Sequence, residues 1–203
     1  MRTWIVLGLA TTAAVAQADR LIYIPTARKI PYRTFKYELR AEPRVQGEIE
    51  HYLGVGLTKF WELEVRSQNL GMPTAQTTFD LTYNYLAPLT NLTPGFAIGV
   101  QDILNKTSEG TRPFLAITFR EGFQAINGEY PADLTIGVSM AQKRLYPIVG
   151  ASIPFSEEVR LMAEHDGFRI SAGFEIRPIK PLALRFLVRE RSSLFGFVFQ
   201  HRF

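Results

Sequence analysis

Three histidines, His51, His165 and His201, are the first residues to test for chemistry in this 203-residue chain without cysteine. A serine hydrolase needs a His beside a Ser on one face, with a third polar group orienting the ring. His165 stands beside Asp166 at a turn, where its expected cross-strand neighbour is Phe168. His201 shares a strand face with Ser193, but eight residues at ~3.3 Å rise put the two far out of reach. Period-two patterning turns all three histidines towards outward faces. No His, Asp or Glu cluster has metal-ligand spacing either. The expectation is therefore no catalytic residue, no cofactor and no metal.

The polar residues that do recur in a pattern are charged. Lys36, Glu38, Arg40, Glu42, Glu48, Glu50, Glu62, Glu64, Arg66, Asp80, Arg160, Glu164, Arg169, Glu175 and Arg185 all fall on the polar side of alternating segments. If those sides face a common interior, two readings stand. One is a hydrated lumen that guides small or linear polar solutes. The other is a mutually neutralising network that plugs the interior, as in small barrels filled by their own side chains. Both signs occur in near-equal number, which favours pairing.

These charges need strands to position them, and the alternation supplies strands. Phe35, Tyr37 and Leu39 oppose Lys36, Glu38 and Arg40; Leu53, Val55 and Leu57 oppose Tyr52, Gly54 and Gly56; Trp61, Leu63 and Val65 oppose Glu62, Glu64 and Arg66. With Thr58 to Phe60 as the loop, Val55 pairs with Leu63 and Leu53 with Val65. That register sets Gly56 against Glu62 and Gly54 against Glu64, so the glycines would make room for acids in a confined interior. Similar runs follow at 77–85, 96–101, 115–119, 134–140, 159–165, 168–174, 182–188 and 193–203. Glu121 to Pro131 reads as the longest gap, with Asn127-Gly128 as its turn signal. Leu145 to Ile153 is ambiguous, because both of its faces are largely apolar or small. Asp166-Gly167 signals a two-residue hairpin turn that would set Glu164 against Arg169 as an ion pair. The count is twelve strands, with ten as the alternative, each ~9–11 residues and long enough to cross a bilayer when tilted.

The ends of the chain agree with a membrane barrel. Residues 1–18 read as a cleaved signal peptide, with Arg2, an apolar run and Ala16-Gln-Ala18 as the cleavage box. Pro25 and Pro31 forbid a regular central strand, so 19–33 is expected as an extended periplasmic leader, with the barrel over 34–203. The last strand carries Phe195, Phe197, Phe199 and Phe203 on one face. It is similar to the C-terminal assembly signal of bacterial outer-membrane barrels, which typically end in Phe, although His201 interrupts the aromatic series. A soluble sandwich is the competing all-β reading, but it would seldom place aromatic and aliphatic residues on one face of nearly every strand.

Leu21-Ile-Tyr-Ile-Pro-Thr-Ala-Arg28, Gly54-Val-Gly-Leu-Thr-Lys-Phe-Trp-Glu-Leu-Glu-Val-Arg66 and Pro94-Gly-Phe-Ala-Ile-Gly-Val-Gln-Asp102 together resemble the YjbH-like outer-membrane proteins associated with exopolysaccharide production. The resemblance covers about the first half of the mature chain; those proteins are longer, and many carry a lipidated Cys. It implies an outer-membrane barrel with both termini periplasmic, acting as a structural or accessory part of envelope or exopolysaccharide export. An open porin-like channel for small polar solutes is the alternative, and an outer-membrane lipid hydrolase ranks third. Expected partners are outer-membrane lipid, the barrel-assembly machinery through the C-terminal strand, and polysaccharide or an envelope complex. Nucleic acid is excluded: a formal net charge of +4 is small, and the basic residues are interleaved with acids.

Overall fold

The computed structural model describes residues 20–43, 49–69 and 75–203. The expected signal peptide and Glu48 lie outside the described residues. Among the described residues are β1 (Thr34–Ala41), β2 (Ile49–Gly56), β3 (Trp61–Asn69), β4 (Gln76–Leu86), β5 (Gly95–Gln101) and β6 (Arg112–Ala125). Then come β7 (Gly128–Ala141), β8 (Arg144–Pro154), β9 (Val159–His165), β10 (Ile170–Ile179), β11 (Leu182–Arg189) and β12 (Ser192–Arg202). Every strand pairs antiparallel with its sequence neighbours, and β1 pairs with β12 from Thr34↔Arg202 to Ala41↔Phe195. The twelve strands are thus a closed barrel, with no edge left unpaired.

Burial along the strands is inverted relative to a water-soluble sheet. In β1 the charged Lys36, Glu38 and Arg40 are buried while Phe35, Tyr37 and Leu39 face out. Leu53, Trp61, Ile98, Leu115, Leu134, Leu161, Phe195 and Phe197 likewise stand on the exterior. Ring pairs tie neighbouring strands there: Trp61 and Tyr83 at 4.9 Å, Phe174 and Phe186 at 4.9 Å, Phe186 and Phe195 at 5.3 Å. Of the terminal phenylalanines, Phe195, Phe197 and Phe203 are exposed and Phe199 is half-exposed against Phe35.

The β2–β3 register is the expected one, with Val55↔Leu63, Gly54↔Glu64 and Gly56↔Glu62. Two turns differ. The gap expected over 121–131 is instead the end of the longest hairpin, paired through Gly122↔Pro131 to Ala125↔Gly128. At 166–169 the turn has four residues rather than two. Asp166 Oδ1 accepts the N–H groups of Phe168 and Arg169, and Asp166 N–H donates to Arg169 C=O, so His165 pairs with Ile170. The aspartate side chain closing on its own turn outweighs the tighter Asp-Gly geometry.

Residues 20–33 depart furthest from expectation. They do not extend away from the barrel but lie inside it: Leu21, Ile22, Tyr23, Ile24, Ala27 and Ile30 are buried, as are Arg20, Thr26 and Arg28. Leu21 to Ile24 form one apolar cluster with Ile148, Met162, Leu187 and Leu194, which point inward from β8, β9, β11 and β12. Burying Ile22 and Ile24 completely is worth ~1.5–3 kcal/mol each. The wall is hollowed for this segment. A Cβ on Gly56 would run into the carbonyl oxygens of Ile30 and Pro31, so that glycine makes room for the segment rather than for Glu62. A Cβ on Gly150 would meet Leu21 Cδ2 at 2.6 Å and Ile24 Cδ1 at 2.7 Å. Gly150→Leu should therefore overpack the interior by ~1–3 kcal/mol. Trypsin should then cut at Arg20 or Arg28 much faster than in the parent, while heat-modifiable gel migration of the barrel is retained.

Candidate functional site

The rim where β1 begins and β12 ends is called here the terminal rim, and the opposite one the distal rim. Segment 20–33 enters from the terminal rim. Arg33, at φ 60°, turns the chain, and its N–H donates to Gly56 C=O. Going inward, Ile30 N–H donates to Glu62 (2.7 Å) and Ala27 N–H to Thr118 Oγ1 (2.9 Å). Arg28 Nη1 reaches Asp133 at 2.5 Å. At the top, Glu164 accepts three successive backbone N–H groups, from Ile22 (2.9 Å), Tyr23 (2.7 Å) and Ile24 (3.3 Å). Arg20 folds back to pair with Glu64 and, at 2.8 Å, with Asp80. The segment thus satisfies its backbone on wall carboxylates, as a buried chain without a ladder must.

On the other side of the lumen the wall pairs with itself. Glu38 Oε1 accepts from Arg40 Nε at 2.6 Å and from Arg185 Nη1 at 2.9 Å, with Lys36 at 3.4 Å from its second oxygen. Arg185 Nε continues to Glu175 (2.7 Å), which also accepts from Arg177 Nε (2.5 Å). The register places Gly196 between Arg40 and Arg185, and its missing side chain lets the two guanidiniums converge on Glu38. Arg40, 0% exposed, also donates to Ile22 C=O (2.6 Å) and lies over the rings of Tyr23 and Tyr52 at 4.6 and 4.5 Å.

Lys36, Glu38, Arg40, Glu42, Glu50, Glu62, Glu64, Asp80, Arg160, Glu164, Glu175 and Arg185 are therefore all buried inside the barrel. Arg66 is half-buried, with Nε on Thr78 Oγ1 at 3.2 Å. Arg169 is not in the lumen network. The longer turn puts Ser171 opposite Glu164, leaving Arg169 exposed at the distal rim and Glu164 to the segment's backbone. Sequence reasoning passed over Asp133, although the inward Thr135, Gly137 and Ser139 of the same strand lead to it by steps of two. It also missed Arg20, Arg28 and Arg120.

Above the segment, under the distal rim, lies a polar cup of about 180 Å³. Its floor is Tyr23, Ile24 and Pro25, and its walls include Glu50, Arg66, Gln68, Gln101, Asp102, Arg112, Arg169 and Arg189. Its acids are engaged. Asp166 takes Arg189 Nη2 at 2.8 Å, Glu109 takes Arg112 Nη1 at 2.6 Å, and Glu50 takes the hydroxyls of Tyr52 and Tyr23. Burial pushes the Asp102 carboxyl up. The hydrogen bonds from Lys106 N–H and from Thr107 N–H and Oγ1 outweigh that and hold it below the ordinary aspartate range. Loop 102–111 therefore keeps this support at neutral pH and loses it only as pH falls beneath ~3.9. The buried amides of Gln68 and Gln101 also line the cup. The cup thus offers amide groups and the exposed Arg169 guanidinium beside acids that are already engaged.

The histidines stay outside this chemistry. His51 bonds to the Tyr37 hydroxyl (2.8 Å) on the exterior, and His165 Nδ1 accepts Gly167 N–H (3.1 Å) within its own turn. Among the described residues no His, Asp or Glu group is arranged to hold a metal ion.

No protein-family model matches the chain, and no curated protein matches it. Several solved chains share its fold, KdgM porins among them. A KdgM porin aligns with a TM-score of 0.51 at 12% identity, over 84% of this chain and 99% of the porin. A KdgM porin in complex with disordered oligogalacturonate aligns with the same TM-score at 11% identity and the same coverage.

The buried and exposed arginines should separate on substitution. Arg40→Ala takes from Glu38 one of its two guanidinium donors and from the Ile22 carbonyl its side-chain donor, and should lower the unfolding free energy in lipid vesicles by ~1.5–3 kcal/mol. Arg169→Ala removes an exposed side chain at the distal rim and should stay within ~0.5 kcal/mol. Urea titrations of the two variants against the parent check this.

Proposed function

We propose that the protein is an outer-membrane barrel of porin type for small polar solutes, held closed in this state by its own residues 20–33. The carrying observation is that the wall is complete without the segment. All twelve strands close on one another, while residues 20–31 join no ladder and touch the wall through side chains and single backbone bonds. A barrel of this fold without the segment has a charged lumen, and the exterior carries the apolar surface that a bilayer requires. The likeness to KdgM porins supports the channel reading over an accessory part in exopolysaccharide export. The terminal Phe195, Phe197, Phe199 and Phe203 are the natural handle for outer-membrane assembly.

The cup is where a solute entering from the distal rim first meets the protein. The amides of Gln68 and Gln101 suit hydroxyl groups, and the guanidiniums of Arg66 and Arg169 suit a carboxylate. An acidic oligosaccharide, such as the oligogalacturonate held by one of the KdgM porin structures, fits that pattern.

Planar-bilayer recordings of the refolded protein test the reading. The parent should be silent or open only rarely. A variant lacking residues 20–32 should conduct steadily and prefer cations, because Glu62, Glu64, Asp80, Asp133 and Glu164 lose the segment's donors. A deletion variant that is folded by heat-modifiability yet silent would show that the barrel is not a channel.

A further inference from the structure

Near the terminal rim the pairing of lumen charges does not balance. Arg28, Arg120 and Arg160 all converge on Asp133, at 2.5, 2.8 and 4.0 Å. Arg177 shares Glu175 with Arg185, whose other partner is Glu38. Arg120 aside, the four guanidiniums of Arg28, Arg160, Arg177 and Arg185 thus meet Asp133, Glu175 and a share of Glu38. Two of these arginines are deeply buried and incompletely used. Arg28 is 7% exposed and Arg160 9% exposed. Nε and Nη2 of Arg28 and Nε of Arg160 are shielded from solvent and have no acceptor. A guanidinium stays charged in a protein, so burial without a counter-charge is costly and deprotonation gives no relief.

Between the same arginines lies a small cavity of about 20 Å³, lined by Arg28, Asp133, Ser152, Arg160, Glu175 and Arg177 among others. That volume exceeds the ~10–15 Å³ that a single water-sized occupant needs, but excludes a polyatomic ion with its own shell. A water could accept from one orphaned N–H but would leave the charge surplus where it is. We propose that this cavity is a binding site for one small inorganic anion of halide size, held by Arg28, Arg160 and Arg177. Arg28 belongs to the luminal segment, whereas Arg160 and Arg177 belong to the wall strands β9 and β10. The anion therefore bridges segment and wall and adds to the hold on the segment.

The test uses the full refolded chain in detergent micelles. Its unfolding midpoint is measured in sodium chloride and in sodium gluconate at equal ionic strength, and crystals are soaked in sodium bromide for anomalous diffraction. The expected result is a saturable rise of the midpoint with chloride and bromide that gluconate does not give. One bromide peak should lie among Arg28, Arg160 and Arg177. Arg177→Gln should weaken the halide effect about tenfold while sparing Glu175, which keeps Arg185, and Arg28→Met should abolish it. Equal midpoints in chloride and gluconate overturn the proposal. So does bromide found only at the rims, or a halide effect unchanged in Arg177→Gln. Should Arg28→Met fail to fold, Arg177→Gln and the bromide position decide.

Discussion

Eight strands enclose an interior that inward side chains can fill by themselves; twelve enclose more than that. The excess must hold water or protein, and much of this architecture answers that constraint. Residues 20–33 occupy it, the wall recedes at Gly56 and Gly150 to admit them, and the lumen turns apolar where they lie. A chain buried in this way has no neighbouring strand to satisfy its backbone. Glu62, Thr118 and Glu164 do it instead, the last with a single carboxylate under three consecutive N–H groups.

The filling also sorts the charges. Glu62, Glu64, Asp80, Asp133 and Glu164 on the wall meet the segment's donors. The run from Arg40 through Glu38, Arg185 and Glu175 to Arg177 is bonded within the wall. Most of these buried charges have an opposite charge in reach; as isolated groups, each would cost several kcal/mol. Segment and wall are thus electrostatic complements, and neither side is neutral alone.

Much of the barrel was legible in the chain because a strand that is apolar outside and polar inside repeats with period two, whatever its neighbours do. The β2–β3 register followed from the same rule. The interior was not legible, because Leu21-Ile-Tyr-Ile24 carries no periodicity and its prolines exclude a strand without saying where the segment goes. Its imprint was nevertheless present. Leu145 to Ile153 is largely apolar or small on both faces, and Leu194 shares its strand face with Gly196, Val198, Gln200 and Arg202. Ile148 and Leu194 are indeed inward residues that touch the segment. An apolar side chain on the wet side of a barrel strand is a sign that something other than water lies against it. The misplaced Arg169 has a smaller cause: a side-chain hydrogen bond lengthened one turn by two residues.

The span of the Glu164 contacts bears on how the wall comes together. Ile22 and Glu164 are 142 residues apart in sequence, and Arg20 and Asp80 are 60 apart. Each such bond draws a large arc of chain into a ring, and the entropy lost in doing so grows only with the logarithm of the arc. A chain that has gathered β3, β4, β7 and β9 around residues 20–28 has already brought both halves of the sheet together. The β1–β12 seam, joining the most distant strands of all, then has a far shorter effective loop left to close. The segment that fills the barrel is in this sense also the mandrel on which it can be wound.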